Sequence, residues 1–388
     1  MTRRALVFGS LVVAAVGLAL LALGLALEPM TAWFAYLAAW TFGAGVCVGA
    51  LLFLMVGHAA KASWMVVTQR LAEAVATALP LFLVLFLPLG FGLRHLYPWA
   101  APTPSADPVL LHAIEHKRRY LNEPFFMART ALYFVVFMSV GALLRRWSRV
   151  NDAHPRMALV IRMRRLSAGA MPLVGLTLTW ASFDWTMSLY PAWSSTIFGL
   201  YIFAGSFVGA IALVAVMLYL PLLGVGSRIR GTPDHAQALG RVLFAMVCFW
   251  AYMAFSQLLI YWIADLPDEV PFYVARTTGT WSAVTVLLVC GNFVVPFFLL
   301  LNRHWKRRGV YLAAVAAWLF LMHFVDVYWL VMPVRDPGGL RPHWLDFAAI
   351  LFMGGLSCAW IVRRWSAVAP LPVHAPDRAE GLSYEAAL

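Results

Sequence analysis

Six ionisable side chains stand inside long apolar stretches of this sequence: Glu73, Arg129, Asp184, Arg276, His323 and Asp326. A charge at the centre of a bilayer costs about 2.5–3.5 kcal/mol on insertion scales, so each one needs a compensating role. Two kinds of chemistry suit these residue types. Carboxyls and an imidazole can relay protons, because histidine titrates closest to neutral pH. His323 and Asp326 are three residues apart and so share one face of a helix. The candidate proton path is Glu73, Asp184, His323 and Asp326. Alternatively, acids and guanidinium groups can neutralise one another as buried clasps. Asp184 and Asp326 each stand seven residues before a proline, Pro191 and Pro333, which is ~10 Å along a helix. Arg129 and Arg276 stand five residues after Pro124 and Pro271, ~7–8 Å at the same rise. The matched depths make Arg129–Asp184 and Arg276–Asp326 the candidate buried ion pairs. Glu73 lies nearer the end of its run and suits either an inner half-path or a side chain that reaches water.

The elements that must carry these residues follow from composition. The chain has 388 residues, 63% of them hydrophobic and only 12% charged, with a mean hydropathy of +0.80. A soluble domain carries about 25% charged residues, so the solvent of most of this surface is lipid. A spanning helix needs about 20 mostly apolar residues. Ten runs meet that length: 5–27, 31–57, 71–93, 124–144, 167–190, 193–223, 239–264, 271–301, 310–332 and 344–362. Only helices and closed barrels satisfy the backbone in lipid, and these runs do not alternate as barrel strands do. The expected fold class is therefore all-α integral membrane. The first run, from Ala5 to Leu27, is longer than the apolar segment of a signal peptide and is expected to be a spanning helix.

A net charge of +12 would raise nucleic acid as a partner of a soluble protein. Here most of the 29 lysines and arginines fall between runs on one side, seven of them between Arg145 and Arg165. The positive-inside rule then puts both termini in the cytoplasm, and no nucleic acid is expected. One segment conflicts with that rule: His112–Arg119 (HAIEHKRR) falls on the outer side. The four cysteines, Cys47, Cys248, Cys290 and Cys358, lie far apart in apolar runs, form no CxxC pair and are expected to be packing residues.

The chain also repeats itself. Pro124-Phe-Phe-Met-Ala-Arg129-Thr130 matches Pro271-Phe-Tyr-Val-Ala-Arg276-Thr277 at five of seven positions. Trp33…Gly45…Gly49-Ala50 matches Trp193…Gly205…Gly209-Ala210 at one constant spacing. Two copies of a four-helix unit are expected, residues 31–192 and 193–333. They flank a pseudo-twofold along the membrane normal, the parallel-repeat arrangement. Residues 1–30 and 334–364 are expected as peripheral spanning helices, and 365–388 as a cytoplasmic tail.

Of the ten histidines only His323 is well inside a run, so a pair of facing axial haem ligands is not expected. No nucleotide-binding loop, HExxH motif or nucleophile elbow occurs, and no catalytic or metal-ligating residue is expected. Several longer runs do carry a likeness. They are Gln69-Arg-Leu-Ala-Glu73, Phe183-Asp-Trp-Thr-Met-Ser-Leu-Tyr-Pro191 continuing to Tyr201, Phe249-Trp-Ala-Tyr-Met-Ala-Phe-Ser-Gln257 and Met322-His-Phe-Val-Asp-Val-Tyr-Trp329. They resemble the ActF subunits of bacterial alternative complex III, whose membrane fold is related to NrfD and PsrC. The resemblance implies a cofactor-free, multi-pass subunit of a quinol:cytochrome c oxidoreductase of a respiratory or photosynthetic chain, in a bacterial inner membrane. It implies as partners a sister NrfD-like subunit (ActC), an iron–sulfur protein, multihaem cytochrome c subunits, small membrane subunits and lipid. Haem and iron–sulfur centres belong to those partners, and quinol is possible at or near this chain. A proton path or a quinone-facing surface is its implied contribution. Within the shared motifs stand Glu73, Asp184, His323 and Asp326. The family pattern also implies an acid and a histidine beside Pro191, where this chain has Tyr190 and Ala192. Two other classes stay open on the residues alone: a secondary transporter with parallel repeats, and a purely structural membrane anchor.

Overall fold

Apolar runs of this length close their backbone hydrogen bonds within one segment only as helices, and in the computed structural model every regular element among the described residues is helical. Residues 3–103, 107–220, 229, 231–267, 269–374 and 378–386 are described. The chain runs α1 (Arg3–Leu27), α2 (Pro29–Ala59), α3 (Gln69–Ala76), α4 (Leu79–Leu96), α5 (Pro108–Lys117), α6 (Glu123–Ala153), α7 (Met157–Trp185) and α8 (Phe198–Tyr219). It continues through α9 (Pro233–Ala264), α10 (Pro271–Thr277), α11 (Trp281–Leu288), α12 (Val295–Leu301), α13 (Arg303–Lys306), α14 (Gly309–Val331), α15 (Trp344–Ser366) and α16 (Arg378–Leu382). Ten of these helices or helix pairs are long and apolar enough to cross a membrane. Each overlaps one of the ten runs expected from hydropathy; residues 221–223 of the sixth run lie outside the described residues, as do Arg228 and Arg230.

Two boundaries depart from expectation. The basic stretch after the fourth run is not a loop: α6 continues to Ala153 and α7 starts at Met157, so Arg145, Arg146, Arg149, Arg162, Arg164 and Arg165 ride on helical turns. Arginine is a good helix former, and hydropathy marks where lipid ends rather than where a helix does. The eighth run is broken. Residues 271–277 form the separate α10, and α11 and α12 are joined by a π-helical turn over Val289–Val294. The break follows Arg276 at Gly279, whose φ of 56° suits a residue without a β-carbon.

Packing places α2 and α8 at the middle. α2 lies against α3, α4, α7 and α8, and α8 lies against α7, α9 and α14. Side chains are kept small where these backbones meet. A β-carbon at Gly49 would lie 2.2 Å from the carbonyl oxygen of Ser206. Small-residue contacts of this kind let helices approach in lipid, where no hydrophobic force drives them together. The same device joins α1 to α15, since a β-carbon at Gly17 would lie 2.3 Å from the Phe352 nitrogen. Of the four cysteines only Cys47 is buried, as a packing residue would be; Cys290 is exposed, because its π-helical turn faces it outward.

One end of the molecule gathers the C-termini of α2, α6 and α15 with the N-termini of α7 and α9; we call it the basic end. The C-terminal segment straps across it. The Val373 amide donates to Asp152 (2.9 Å), Asn151 donates to the His374 carbonyl (2.9 Å), and His235 Nε2 meets the Gly381 carbonyl (2.7 Å). The strap therefore ties α6 to α9. Truncation after Ala369 is expected to lower stability in detergent by about 1.5–4.5 kcal/mol, since each of the three lost hydrogen bonds is worth about 0.5–1.5 kcal/mol net. An unchanged melting temperature on thermal unfolding would refute it.

At the opposite end, the basic segment that conflicted with the charge rule is held in place. Lys117 Nζ donates to the Pro191 carbonyl at 2.6 Å. Burial lowers the proton affinity of this ammonium below the usual lysine range, against a weaker opposing pull from Glu269.

Candidate functional site

The acid on α7 is closed. Asp184 is fully buried and accepts two parallel hydrogen bonds from Arg129, Nε at 2.8 Å and Nη2 at 2.9 Å. The Tyr133 hydroxyl adds a third at 2.7 Å. The remaining Arg129 nitrogen donates to the Tyr120 carbonyl, and the guanidinium lies 3.8 Å from the centre of the Tyr120 ring. This fork-on-carboxylate geometry is the strong form of an ion pair. It places Arg129 and Asp184 together, as their matched depth suggested.

The second expected pair, Arg276–Asp326, does not form. Arg276 is fully buried, but donates to the carbonyl oxygens of Phe272 (2.7 Å), Trp329 (3.2 Å) and Leu330 (2.7 Å). The last carbonyls of a helix have no partner within it and carry partial negative charge. Because α10 is cut off from α11 near the end of α14, Arg276 meets those carbonyls before it can reach Asp326. Its face is sealed by the Phe272 ring at 3.6 Å and the Tyr190 ring at 4.8 Å. Tyr190 thus rests on a cation beside Pro191.

Asp326 is left with neutral donors. It is buried and accepts from the Tyr201 hydroxyl and from Trp250 Nε1 at 3.1 Å. His323, one turn earlier on α14, is also buried, and neither ring nitrogen has a hydrogen-bond partner among the described residues. Gly205 and Gly209 of α8 make room for this pair. A β-carbon at Gly205 would lie 3.1 Å from His323 and 3.3 Å from Asp326, and one at Gly209 would lie 2.5 Å from the imidazole. Both side chains line a small cavity of about 20 Å³ shared by α2, α7, α8 and α14, into which Thr41, Ser182 and Ser206 also face. That is room for roughly one water molecule. The Thr41 hydroxyl is likewise buried without a hydrogen-bond partner among the described residues.

Glu73 belongs to a different place. At the basic end it accepts from Arg70 (2.6 Å), Ser148 (2.8 Å) and Gln69 (2.9 Å), while Arg70 also binds Asp152. It lines a groove at that end and shares no cavity with His323. The four acids and bases proposed as one path are therefore in three places: Glu73 in a closed network at the basic end, Asp184 in an ion pair, and His323 with Asp326 at the cavity.

Sequence reasoning missed Arg70 and Asp152, and also Tyr201, Trp250 and Thr41. The i, i+3 spacing of Arg70 and Glu73 was the available signal for the first. Tyr201 and Trp250 stood inside the runs already singled out. Among the described residues no three His, Cys, Asp or Glu side chains come together as a metal-binding group.

The chemistry open to this arrangement is proton handling. A carboxyl held by two neutral donors can gain or lose a proton without breaking an ion pair, and an imidazole with both nitrogens open stands one turn away. Asp184 would first have to leave its guanidinium. Fold and sites together define a multi-pass membrane protein in which the buried Asp184 is neutralised by a guanidinium and the buried Asp326 is held, among the described residues, by neutral donors. No protein-family model matches the chain, and no curated protein matches it.

Proposed function

We propose that this chain is an integral membrane subunit of alternative complex III, without a redox centre of its own, whose His323–Asp326 site moves protons during quinol oxidation. The supporting observation is a buried acid held by neutral donors beside an imidazole that has no hydrogen-bond partner among the described residues. It lies within the runs that resemble the family. In this reading α2–α7 and α8–α14 are two four-helix bundles related by a pseudo-twofold along the membrane normal, with α1 and α15 peripheral. The basic end and both termini face the cytoplasm, and the membrane is a bacterial inner membrane. Haem and iron–sulfur centres sit on partner subunits: a sister NrfD-like subunit, an iron–sulfur protein, multihaem cytochromes c and small membrane subunits. The closed pairing of Glu73 and Asp184 assigns them to holding helices together, which narrows the path to the cavity.

Affinity purification from native membranes tests the assignment. Recovery with a multihaem cytochrome and an iron–sulfur protein is the expected outcome. The broken eighth span, with buried Asn292 in its π-helical turn, favours a transporter as the second reading, because discontinuous helices line transport sites. A lone protein that moves a substrate in proteoliposomes would establish that reading instead.

Asp326→Asn separates proton movement from scaffolding. Asparagine keeps the shape and loses one acceptor, a change of about 1 kcal/mol, so assembly is expected to survive. Removing a positioned proton carrier slows turnover 10²–10⁴-fold in general, and proton release coupled to quinol oxidation is expected to fall about a hundredfold. Normal assembly with undiminished proton release would exclude the relay.

A further inference from the structure

A second cavity, at the basic end, is not accounted for by the proton site. It is an open groove of about 640 Å³ between α2, α4, α6 and α15. Its lining changes character along α6. Met138, Gly141 and Ala142 are apolar and lie deep, beside Leu79 and Pro80; Arg145, Arg146 and Arg149 follow toward the helix end. From Met138 to Arg149 the helix rises ~16 Å, the distance from acyl chains to the headgroup layer. Arg364 of α15 closes the charged side. It is placed there by Trp360, whose ring lies 4.6 Å beneath the guanidinium and whose N–H is fixed on the Thr77 carbonyl at 2.8 Å.

Among the described residues no salt bridge holds any of these four guanidinium groups. The one carboxylate in the groove, Glu73, is already bound by Arg70 at 2.6 Å. Four guanidinium groups thus converge over an apolar cleft open to lipid. Guanidinium forks match phosphate oxygens, and basic pockets between spanning helices recognise phospholipid headgroups. A zwitterionic headgroup offers one phosphate with its own cation; four arginines suit two phosphates.

We propose that this groove binds an anionic phospholipid with two phosphates, of the cardiolipin type. Its phosphates lie among Arg145, Arg149 and Arg364, and an acyl chain follows Met138, Ala142 and Pro80. The site is independent of the redox assignment.

The test uses the full chain, purified with whatever subunits accompany it, delipidated in detergent and titrated with cardiolipin, phosphatidylcholine or inorganic pyrophosphate. Native mass spectrometry and melting temperature are the readouts. One cardiolipin is expected to be retained and to raise the melting temperature, with phosphatidylcholine retained at least tenfold less. Arg145→Gln with Arg149→Gln removes two headgroup contacts of about 1 kcal/mol each, so retention is expected to fall about thirtyfold. Ala142→Trp fills the apolar arm without touching charge and is expected to abolish retention, which keeps the test decisive if the arginine variant does not fold. Equal retention of both lipids, or unchanged retention in Ala142→Trp, would overturn the proposal. So would stabilisation by pyrophosphate equal to that by cardiolipin, which would mark a soluble-anion site.

Discussion

Asp184→Asn is expected to destabilise the folded chain by about 3–5 kcal/mol, because it leaves Arg129 as an uncompensated buried charge. Asp184 is fully buried and takes three hydrogen bonds, two of them from one guanidinium at 2.8 and 2.9 Å. Asparagine can accept at one oxygen only, and its amide would point N–H groups at N–H groups. The same substitution at Asp326 meets neutral donors and should cost about 1 kcal/mol. Arg129→Ala should match Asp184→Asn, since either change strands the partner. Replacing both together by Met and Leu should recover most of the loss, because a well-packed apolar pair is often as stable as a buried ion pair. Thermal unfolding of the four variants in one detergent measures this directly. Equal losses for Asp184→Asn and Asp326→Asn would show that the two acids are not held differently.

Gly49→Leu is expected to have the other large effect, separating the two helices at the centre of the molecule. The β-carbon alone would lie 2.2 Å from the Ser206 carbonyl oxygen and 2.6 Å from its carbon. Both are backbone atoms of α8, so no side chain can turn aside to make room. Overpacking in a close-packed interior costs about 1–3 kcal/mol and more where the backbone must shift. Here α2 would also be pushed off the helix that carries Gly205 and Gly209, and the His323 pocket would open. The expected result is loss of the monodisperse folded species on size-exclusion chromatography. Gly354→Leu is the control, since a β-carbon there meets nothing within 4 Å; it should stay within about 0.5 kcal/mol, as surface changes do. A well-behaved Gly49→Leu variant would show that α2 and α8 are not in backbone contact.

Much of this was readable from residue order because lipid imposes a simple test on each segment. A run of Val, Leu, Ala and Phe is a helix wherever water is absent, whatever its neighbours do, and ten such runs became ten candidate spans. Helix ends were harder. Arg145 to Arg149 read as the start of a loop, yet arginine extends a helix readily, and α6 and α7 reach past the apolar region. The break after Arg276 was hidden as well, because Thr278, Gly279 and Thr280 sit in a stretch that is apolar on average.

The charged pairs divide along the same line. Internal repetition put an acid and a guanidinium at equal depth in both halves, and that was enough for Arg129 and Asp184, which lie on adjoining continuous helices. It failed for Arg276 and Asp326, since equal depth does not fix the angle around a helix, and the cut helix swings Arg276 onto the free carbonyls of α14. Residue order by itself determined the helical class and marked which ionisable groups stand in apolar surroundings, because these depend on local transfer free energy. Only the tertiary structure decided which of those groups are neutralised. That choice depends on contacts a few ångströms long between residues far apart in the chain: Tyr201 and Trp250 around Asp326, Arg70 on Asp152, and the glycine faces that let His323 in.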